Sequence, residues 1–386
     1  MSNTKKKIVF VGLSGGVDSA VSAALLKKQN YEVVGVFIKT WHPEFLVCNE
    51  EEERMDAMRV AAHLDIPFLT FDFSDVYKKE VADYMINEYK TGRTPNPDVM
   101  CNKEVKFGAF LKKALSMGAD FVATGHYAQE FSEQNFKGGR FRPKGGVMPK
   151  NSALKTFLVK GIDPSKDQSY FLWTLKQEQL SKILFPIGYL KKTEVRILAK
   201  KFKLPVAEKK DSQGICFLGA VDLKEFLKHY IKSKKGKVVN EKGEDVGYHD
   251  GVVFHTLGER HGFTITKKGS TDGAYYVIGK DIKKNILVVS QSPDVGLTLD
   301  TRQGRMSNVD PDVQRLEQTN WILKIPKPNK NYTAQIRYHG EFFPCQILIK
   351  SKTEVEVLFK KPVIIASGQS IVVYDKDVCL GGGVVV

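Results

Sequence analysis

Short apolar segments alternate with amphipathic ones over the first third of the chain. Four apolar segments rich in β-branched and aromatic residues predict strands, at 7–11, 33–38, 68–73 and 121–125. Helical patterns lie between them at 20–28, 50–64 and 104–115. This alternation is typical of a doubly wound parallel sheet, in which ligands lie beyond the carboxyl ends of the strands. The first domain is therefore predicted to be an α/β domain.

The rest of the chain has a different pattern. A basic loop at 131–152 precedes helical patterns at 168–180 and 193–202, a loop at 211–217 and a short helix at 223–227. Short strands then recur, at 237–239, 245–247, 274–278 and 285–290, and, after a linker at 292–296, at 332–337, 342–349, 354–359 and 370–374. These patterns predict two smaller β-rich domains, the second a small barrel of the kind that displays nucleic-acid-binding loops. We divide the chain into a catalytic domain at 1–218, a central domain at 219–293 and a C-terminal barrel-like domain at 298–386.

Composition narrows the class of partner. The chain has 59 Lys and Arg against 44 Asp and Glu, a net charge of +15, which suits a polyanion such as RNA. Its mean hydropathy is −0.26, and no apolar run approaches the roughly 20 residues that cross a bilayer. Without a signal-like segment, we expect a cytoplasmic protein with no membrane partner. Five scattered cysteines without a CxxC pair do not indicate a disulfide scaffold or a zinc site.

Residues 12–19 connect the first strand to the first helix. Adjacent Gly15 and Gly16 let the backbone approach a ligand closely, and helix-start amides with the Ser14 and Ser19 hydroxyls favour a phosphate. The segment has neither the Walker A pattern nor the dinucleotide fingerprint. It resembles the pyrophosphate loop (PP-loop) of the ATP-pyrophosphatase superfamily, an adenine nucleotide alpha hydrolase-like fold. That resemblance implies adenylation of a carbonyl oxygen or carboxylate with release of pyrophosphate.

Cys101 lies in a polar, proline-bounded stretch. Pro95 and Pro97 indicate a rigid loop that delivers the thiol to the start of a helix, with Lys103 and Lys106 nearby. A helix N-terminus and neighbouring cations lower the pKa of a thiol. We therefore expect an accessible, nucleophilic Cys101, against the alternative of a small buried apolar residue.

Cys216 lies in a glycine-containing loop that follows the charged residues 209–211. Two loop thiols near cations, on a domain that activates a carbonyl with ATP, suggest that sulfur chemistry follows adenylation. The remaining cysteines have no comparable setting and are interpreted as apolar residues: Cys48, Cys345 and Cys379.

Nine motifs in order along nearly the whole chain resemble the bacterial tRNA-specific 2-thiouridylase family. They are SGGVDS (14–19), FIKTW (37–41), GRTPNPDVMCNKEVKF (92–107), ATGHYA (123–128), KDQSYFL (166–172), DSQGICF (211–217), HTLGERHG (255–262), RYHG (337–340) and CLGGG (379–383). The resemblance implies that ATP adenylates the C2 oxygen of the wobble uridine in the anticodon stem-loop of tRNA. The ATP-binding residues that it implies are Gly12, Leu13, Ser14, Gly15, Gly16, Val17, Asp18, Ser19, Ile38 and Gly125.

The same resemblance assigns roles to the thiols. Cys216 would carry a persulfide delivered by a cysteine desulfurase or a sulfur-relay protein, and its terminal sulfur would attack C2. Cys101 would then act as a nucleophile and leave a transient disulfide with Cys216. Asp98 is the candidate for proton transfer or base orientation, and Asp18 for placing Mg²⁺ on the pyrophosphate.

The implied tRNA contacts are Asn96, Pro97, Asp98, His126, Lys166, Asp167, Gln168, Arg337, Tyr338 and Gln369. The residues themselves leave other interpretations open, since 166–168 also fits a helix start, Arg337 a solvated strand face and Tyr338 ordinary packing. Ile38 stands where the family pattern has methionine, which matters little if the backbone contacts adenine.

Two further functions remain open from the residues alone. One is a different PP-loop ATP-pyrophosphatase, acting on RNA or a small carbonyl substrate without sulfur chemistry. The other is a non-catalytic RNA-binding or sulfur-carrier protein, which would not consume ATP.

Overall fold

The structure is a computed structural model of the 386-residue chain. It describes residues 6–46, 49–132, 155–211, 214–219, 221–267, 273–292, 298–300, 305–307, 312–351 and 354–386. Cys48, the linker at 293–296 and most of the predicted basic loop, 133–152, lie outside the described residues. No helix among the described residues is long and apolar enough to cross a bilayer.

A five-stranded parallel sheet forms the first domain. Its strands are β1 (Ile8–Gly12), β2 (Glu32–Lys39), β3 (Phe68–Asp72), β4 (Phe121–Ala123) and β7 (Ile183–Leu184), in the order β3-β2-β1-β4-β7. The four predicted strands are present. Strand β7 was not predicted, because its two residues are too few to show an alternation.

Helices cover both faces of this sheet, because successive side chains of a strand point to opposite faces. On β1, Val9 and Val11 pack with α1 (Val17–Lys28), α2 (Glu50–His63) and α8 (Lys192–Lys201). Phe10 packs on the other face against helices from the segments 74–90 and 97–116. The prediction of a doubly wound sheet is confirmed.

Each of those two segments is a helix with a π-helical middle. The first has α3 (Ser74–Tyr77), a π-segment (Lys78–Asp83) and α4 (Tyr84–Lys90), and the second has α5 (Pro97–Met100), a π-segment (Cys101–Phe110) and α6 (Leu111–Ser116). The second helix therefore begins seven residues before the predicted 104–115 segment, with Pro97 in its first turn. The predicted helix at 168–180 is wrong, since only a 3₁₀ turn (Ser169–Leu172) and α7 (Gln177–Leu180) form there.

The central domain follows α9 (Leu223–Lys228) and is a five-stranded sheet. Its strands are β8 (Gly236–Val239), β9 (Asp245–His249), β10 (Phe263–Ile265), β11 (Tyr276–Asp281) and β12 (Ile286–Ser290), in the order β10-β9-β8-β12-β11. Val238, Val277, Leu287 and Val289 form its small core. The sequence analysis missed β10, whose three residues are too few for a pattern.

The C-terminal sheet has eight strands and closes on itself. It contains β15 (Val313–Trp321), β16 (Tyr332–Gln335), β17 (Phe342–Ile349), β18 (Val355–Phe359), β19 (Ser370–Asp375) and β20 (Val378–Val385), and β15 pairs with both β18 and β20. At Gly381 of β20 a side chain would collide with the carbonyl oxygen of Asn320, so glycine lets the closing strands approach. A separate hairpin is formed by β13 (Thr298–Asp300) and β14 (Arg305–Ser307).

The last two strands of this sheet come from the first domain. They are β5 (Ala128–Ser132) and β6 (Thr156–Lys160), and β6 pairs with β20. Residues 131 and 132 therefore belong to a strand and not to the predicted basic loop. An α/β domain followed by two β-rich domains is confirmed as the fold class, while the boundaries at 218, 219, 293 and 298 stay predictions.

Candidate nucleotide and thiol site

The loop at 12–19 is closed by its own serines. The Ser14 amide donates to Ser19 Oγ at 3.2 Å, and the two hydroxyl oxygens lie 3.3 Å apart. The Leu13 amide donates to the carbonyl of Val36 at 2.8 Å, which fixes the loop to the end of the sheet. Helix α1 then begins with Gly16 as N-cap and no side-chain cap. Its first-turn amides, which have no intrahelical acceptor, are available to a ligand.

Two glycines allow this loop to pack closely. Gly15 has φ +71°, and a side chain there would collide with the carbonyl oxygen of Glu53 on α2. A Cβ on Gly125 would lie 2.7 Å from the Ser19 amide nitrogen. The glycine backbone of the loop at 12–19, with donor amides at the start of α1, is suited to bind the phosphates of ATP. The side chain of Ile38, another predicted ATP contact, is buried in the core.

Asp18 faces a cation that the sequence analysis missed. Its carboxylate accepts hydrogen bonds from Tyr127 Oη at 2.7 Å and from Lys192 Nζ at 2.8 Å. Lys192 is 174 residues away, and nothing in its own sequence context marks it. The described residues contain no group of three or more His, Cys, Asp or Glu side chains that could hold a metal ion. Magnesium at Asp18 therefore stays a prediction.

Lys192 also contacts the segment that leads to Cys216. Its Nζ lies 2.9 Å from Asp211 Oδ1, and Lys166 Nζ lies 2.9 Å from Asp211 Oδ2. Arg196 completes the group by donating to Asp211. Burial alone would raise the pKa of Asp211, but hydrogen bonds from the lysines hold that pKa far below its usual range. The ammonium group of Lys192 thus connects the loop at 12–19 with the loop that contains Cys216.

The two thiols lie together although 115 residues separate them. Cys101 Sγ and Cys216 Sγ are 3.6 Å apart, and both cysteines are free. The expectation of an accessible, acidic Cys101 is wrong, because Cys101 is 0% exposed and burial raises its pKa. Its hydrogen bond instead lowers the pKa of Cys216 to about 7, with a further contribution from Lys106. Proline and polar neighbours did not reveal that this side chain points into the core.

Asp98 lies beside the thiol pair. Its Oδ1 accepts a hydrogen bond from the Cys216 amide at 2.9 Å, and burial raises its pKa. Tyr77 Oη donates to the Cys216 carbonyl at 2.8 Å, and a His42 ring nitrogen lies 2.7 Å from the Phe217 carbonyl oxygen. These contacts hold residues 216 and 217 against the rest of the first domain. The sequence analysis named neither Tyr77 nor His42.

The loop before Cys101 contacts the C-terminal domain. Asn96 caps α5 by accepting from the Val99 amide, and Pro97 is the first residue of that helix. The Thr94 amide donates to the Ser367 carbonyl at 2.8 Å, beside Gln369, which is half-buried. A cavity of about 230 Å³ lies at this junction, with walls that include Asn96, Met100, Trp173, Asn320 and Ser370. The structure thus brings Asn96, Pro97 and the turn of Gln369 together.

Residues 166–168 make internal contacts. Lys166 pairs with Asp211, and Asp167 accepts from the Gly161 and Ser169 amides at 2.9 and 3.1 Å. Gln168 Oε1 accepts from the Tyr127 amide at 3.0 Å. Those bonds shape the loop at 161–169, so a tRNA contact by these side chains has to compete with them.

The other three predicted tRNA contacts differ in accessibility. His126 is 6% exposed, lies 2.7 Å from Thr124 Oγ1, and has a pKa lowered by burial, so it does not lie on a surface. Arg337 is exposed in a turn after β16 and not on a strand face as one interpretation had it. Tyr338 packs on Phe171 with ring centroids 4.4 Å apart.

Three family models match the chain. The tRNA methyl transferase HUP domain matches residues 7–220, the tRNA methyl transferase PRC-barrel domain matches 224–291, and the aminomethyltransferase beta-barrel domain matches 312–385. The first alone spans more than half of the chain.

Full-length relatives are also similar. The tRNA-specific 2-thiouridylase MnmA of Geobacillus thermodenitrificans is 42% identical over 382 residues, covering 98% of this chain and 94% of the relative. The protein of the same name from Enterococcus faecalis is 41% identical over 390 residues, covering 100% and 96%.

Solved structures are more distant. The U34-tRNA thiolase NcsA of Methanococcus maripaludis with its [4Fe-4S] cluster has a TM-score of 0.34 and 16% identity, covering 58% of this chain and 64% of that one. A 4-thiouridine synthetase–RNA complex with bound ATP has a TM-score of 0.33 and 18% identity, covering 58% and 50%. Similarity at this level carries no argument about function.

Proposed function

The chain belongs to the tRNA-specific 2-thiouridylase family, and we propose that it is a tRNA-uridine 2-sulfurtransferase that uses ATP to replace the C2 oxygen of the wobble uridine with sulfur. The observation that carries this proposal is the 3.6 Å separation of Cys101 Sγ and Cys216 Sγ on a domain with a PP-loop. The full-length relatives named above support the same activity.

The loop at residues 12–19 is the proposed ATP site. The amides that begin α1 and the Ser14 and Ser19 hydroxyls donate to phosphate oxygens, and the backbones of Ile38 and Gly125 flank the nucleotide. ATP supplies an adenylyl group that turns the uridine C2 oxygen into a leaving group. Magnesium would bring positive charge to the pyrophosphate, with Asp18 as its candidate ligand once Lys192 moves away.

Cys216 is the proposed sulfur carrier. A donor of the cysteine desulfurase or sulfur-relay class places one sulfur on Cys216 as a persulfide, and the terminal sulfur attacks C2 as AMP leaves with the oxygen. The Cys101 thiolate then attacks Cys216 Sγ, which breaks the S–S bond and leaves the sulfur on C2. The cysteines end as a disulfide, which an external thiol reduces before the next turnover.

The remaining site residues are proposed to hold the anticodon stem-loop. Asp98, next to Cys216, orients the base or moves its proton, and Asn96 and Pro97 form the rigid edge beside it. Exposed Arg337 contacts the phosphate backbone, while Tyr338, Gln369 and residues 166–168 line its approach. The buried ring of His126 packs against the rings of Phe107 and Phe185. A tRNA substrate fits a cytoplasmic location.

A mercury-affinity gel tests the activity. The protein is incubated with ATP, magnesium, unthiolated tRNA and a cysteine desulfurase with its cysteine substrate, which delivers persulfide sulfur, and thiolated tRNA migrates more slowly. We expect a retarded band that requires ATP and is lost in both Cys101→Ser and Cys216→Ser. Cys345→Ala is the matched control, because Cys345 is buried in the C-terminal core, and it should keep the band.

Two results would contradict the proposal. Full activity of both serine variants would favour an ATP-pyrophosphatase without sulfur chemistry on these thiols. No retarded band with any sulfur donor, and no pyrophosphate release with unmodified tRNA, would favour a non-catalytic RNA-binding or sulfur-carrier protein.

A further inference from the structure

The π-segment Cys101–Phe110 changes which side chains share a face. In an α-helix, residues five apart point about 140° away from each other. In a π-helix, whose hydrogen bonds join residues i and i+5, residue i+5 lies about one turn above residue i. Lys106 is five residues after Cys101. The π-helical backbone therefore places the Lys106 side chain above Cys101, on the side that faces Cys216.

Lys106 contacts the Cys216 loop directly. Its ammonium group lies 5.6 Å from the ring centroid of Phe217, the residue that follows Cys216, and its positive charge lowers the pKa of Cys216. Burial alone would lower the pKa of Lys106, yet the two sulfur atoms raise it overall, so this side chain remains a cation. It is half-buried, where a charge interacts more strongly than in open water.

Among the other groups around Cys216, only Cys101 lowers the pKa of this thiol more than Lys106 does. Cys101 donates to its sulfur, and Asp98, whose carboxylate accepts from the Cys216 amide, disfavours a second negative charge. Tyr77 and His42 contact main-chain carbonyl oxygens of residues 216 and 217 and not the sulfur. Lys106 is therefore the cation that offsets Asp98 at this thiol.

We propose that Lys106 is a catalytic residue, held by the π-segment against Cys216, where its ammonium group stabilises the sulfur anion of that cysteine. This inference rests on the proposed function only for the role of Cys216 as sulfur carrier. A persulfide on Cys216 is also an anion, so the same ammonium group would stabilise it. Cys101 supplies the hydrogen bond and Lys106 supplies the charge.

Site-specific alkylation tests the proposal without any tRNA. The full-length protein is treated with iodoacetamide between pH 5.5 and 9.5, where Cys216 forms an S–C bond and iodide leaves, and the Cys216 peptide is quantified by mass spectrometry. In the unaltered protein we expect a half-maximal rate near pH 7. In Lys106→Met the midpoint should move upward, and the rate at pH 7 should fall about threefold, because the hydrogen bond from Cys101 remains.

Two variants separate charge from structure. Lys103→Met alters a lysine on the same segment that is exposed and pairs with Glu104 at 2.8 Å, and its midpoint should stay within about 0.2 pH unit of the unaltered protein. Lys106→Arg keeps the charge and should recover most of the rate at pH 7. Thermal melts of all variants check that each is folded.

An unchanged midpoint in folded Lys106→Met would overturn the proposal, as would an equal upward shift in Lys103→Met. Because this measurement needs no sulfur transfer, it can fail while the mercury gel still shows thiolated tRNA. The reverse result is a shifted midpoint without thiolation of tRNA by any sulfur donor. It would support the effect of Lys106 on Cys216 and contradict the proposed function.

Discussion

The loop at 12–19 and the thiol pair are the two halves of the proposed site, and they are built in different ways. Residues 12–19 form a continuous segment whose ligand groups are mostly main-chain amides and two serines that bond each other. The thiol pair joins side chains 115 residues apart, and Lys106 and Asp98, which lie close to Cys101 in the sequence, also act on the pKa of Cys216. The first half is specified locally, whereas the second exists only after the domain has folded.

One connection joins the two halves. Lys192 contacts Asp18 of the phosphate loop and Asp211 of the Cys216 loop at 2.8 and 2.9 Å. If the halves are otherwise independent, a variant in one should leave the chemistry of the other unchanged, and only Lys192 should affect both.

The largest effect is expected from Gly15→Val. A β-branched residue is strained at φ +71°, and its Cβ would displace α2 at Glu53, so the loop loses its shape. We expect ATP affinity, measured by calorimetry, to fall about 100-fold or more, while the alkylation midpoint of Cys216 stays near pH 7. Gly118→Ala is the control: Gly118 also has positive φ, but nothing lies within 4 Å of its Cβ position. A midpoint that moves with Gly15→Val would show that the halves are not independent.

Lys192→Met should destabilise the protein through both loops. Removing a mostly buried ammonium group leaves the Asp18 and Asp211 carboxylates close together with one cation fewer. We expect the free energy of unfolding in urea to fall by about 1–3 kcal/mol. Lys7→Met removes an exposed ion pair with Asp120 and should cost under about 1 kcal/mol. Equal losses of unfolding free energy in the two variants would mean that the Lys192 bridge stabilises the protein no more than an exposed ion pair does.

Cys101→Ala should affect only the thiol half. Without its S–H donor, the thiolate of Cys216 loses the largest contribution that lowers its pKa to about 7. The ionised fraction therefore falls at neutral pH and recovers as the pH rises. We expect the alkylation rate of Cys216 at pH 7 to drop about fivefold, with ATP affinity unchanged. An unaltered rate would leave Lys106 as the sole cause of the acidity.

Ile38→Met should have the smallest effect. Both side chains are apolar and similar in volume, and Ile38 is buried in the core, so repacking costs under about 1.5 kcal/mol. If the backbone holds adenine, the Kd for ATP should change less than about twofold. A larger change would mean that the side chain itself contacts the nucleotide.

The same contrast explains what sequence analysis predicted well. The alternation of strands and helices, the strand-to-helix loop at 12–19 and the succession of α/β and β-rich segments depend on patterns within about 20 residues, and each is present. Very short strands such as β7 and β10 were not predicted, and neither were two longer ones, β15 and β20. The addition of β5 and β6 to the C-terminal sheet was not predicted either, because sequence order does not reveal which sheet a pair of strands joins.

By itself the sequence determined the family, the fold class and the identity of both thiols. Only the tertiary structure decided that Cys101 is the buried hydrogen-bond donor, that Cys216 is the acidic thiol, that Lys192 bridges two loops and that His126 is buried. The physical reason is that a pKa or an ion pair depends on burial and on charges within a few ångströms. Those neighbours come from segments more than 100 residues apart, and folding alone brings them together.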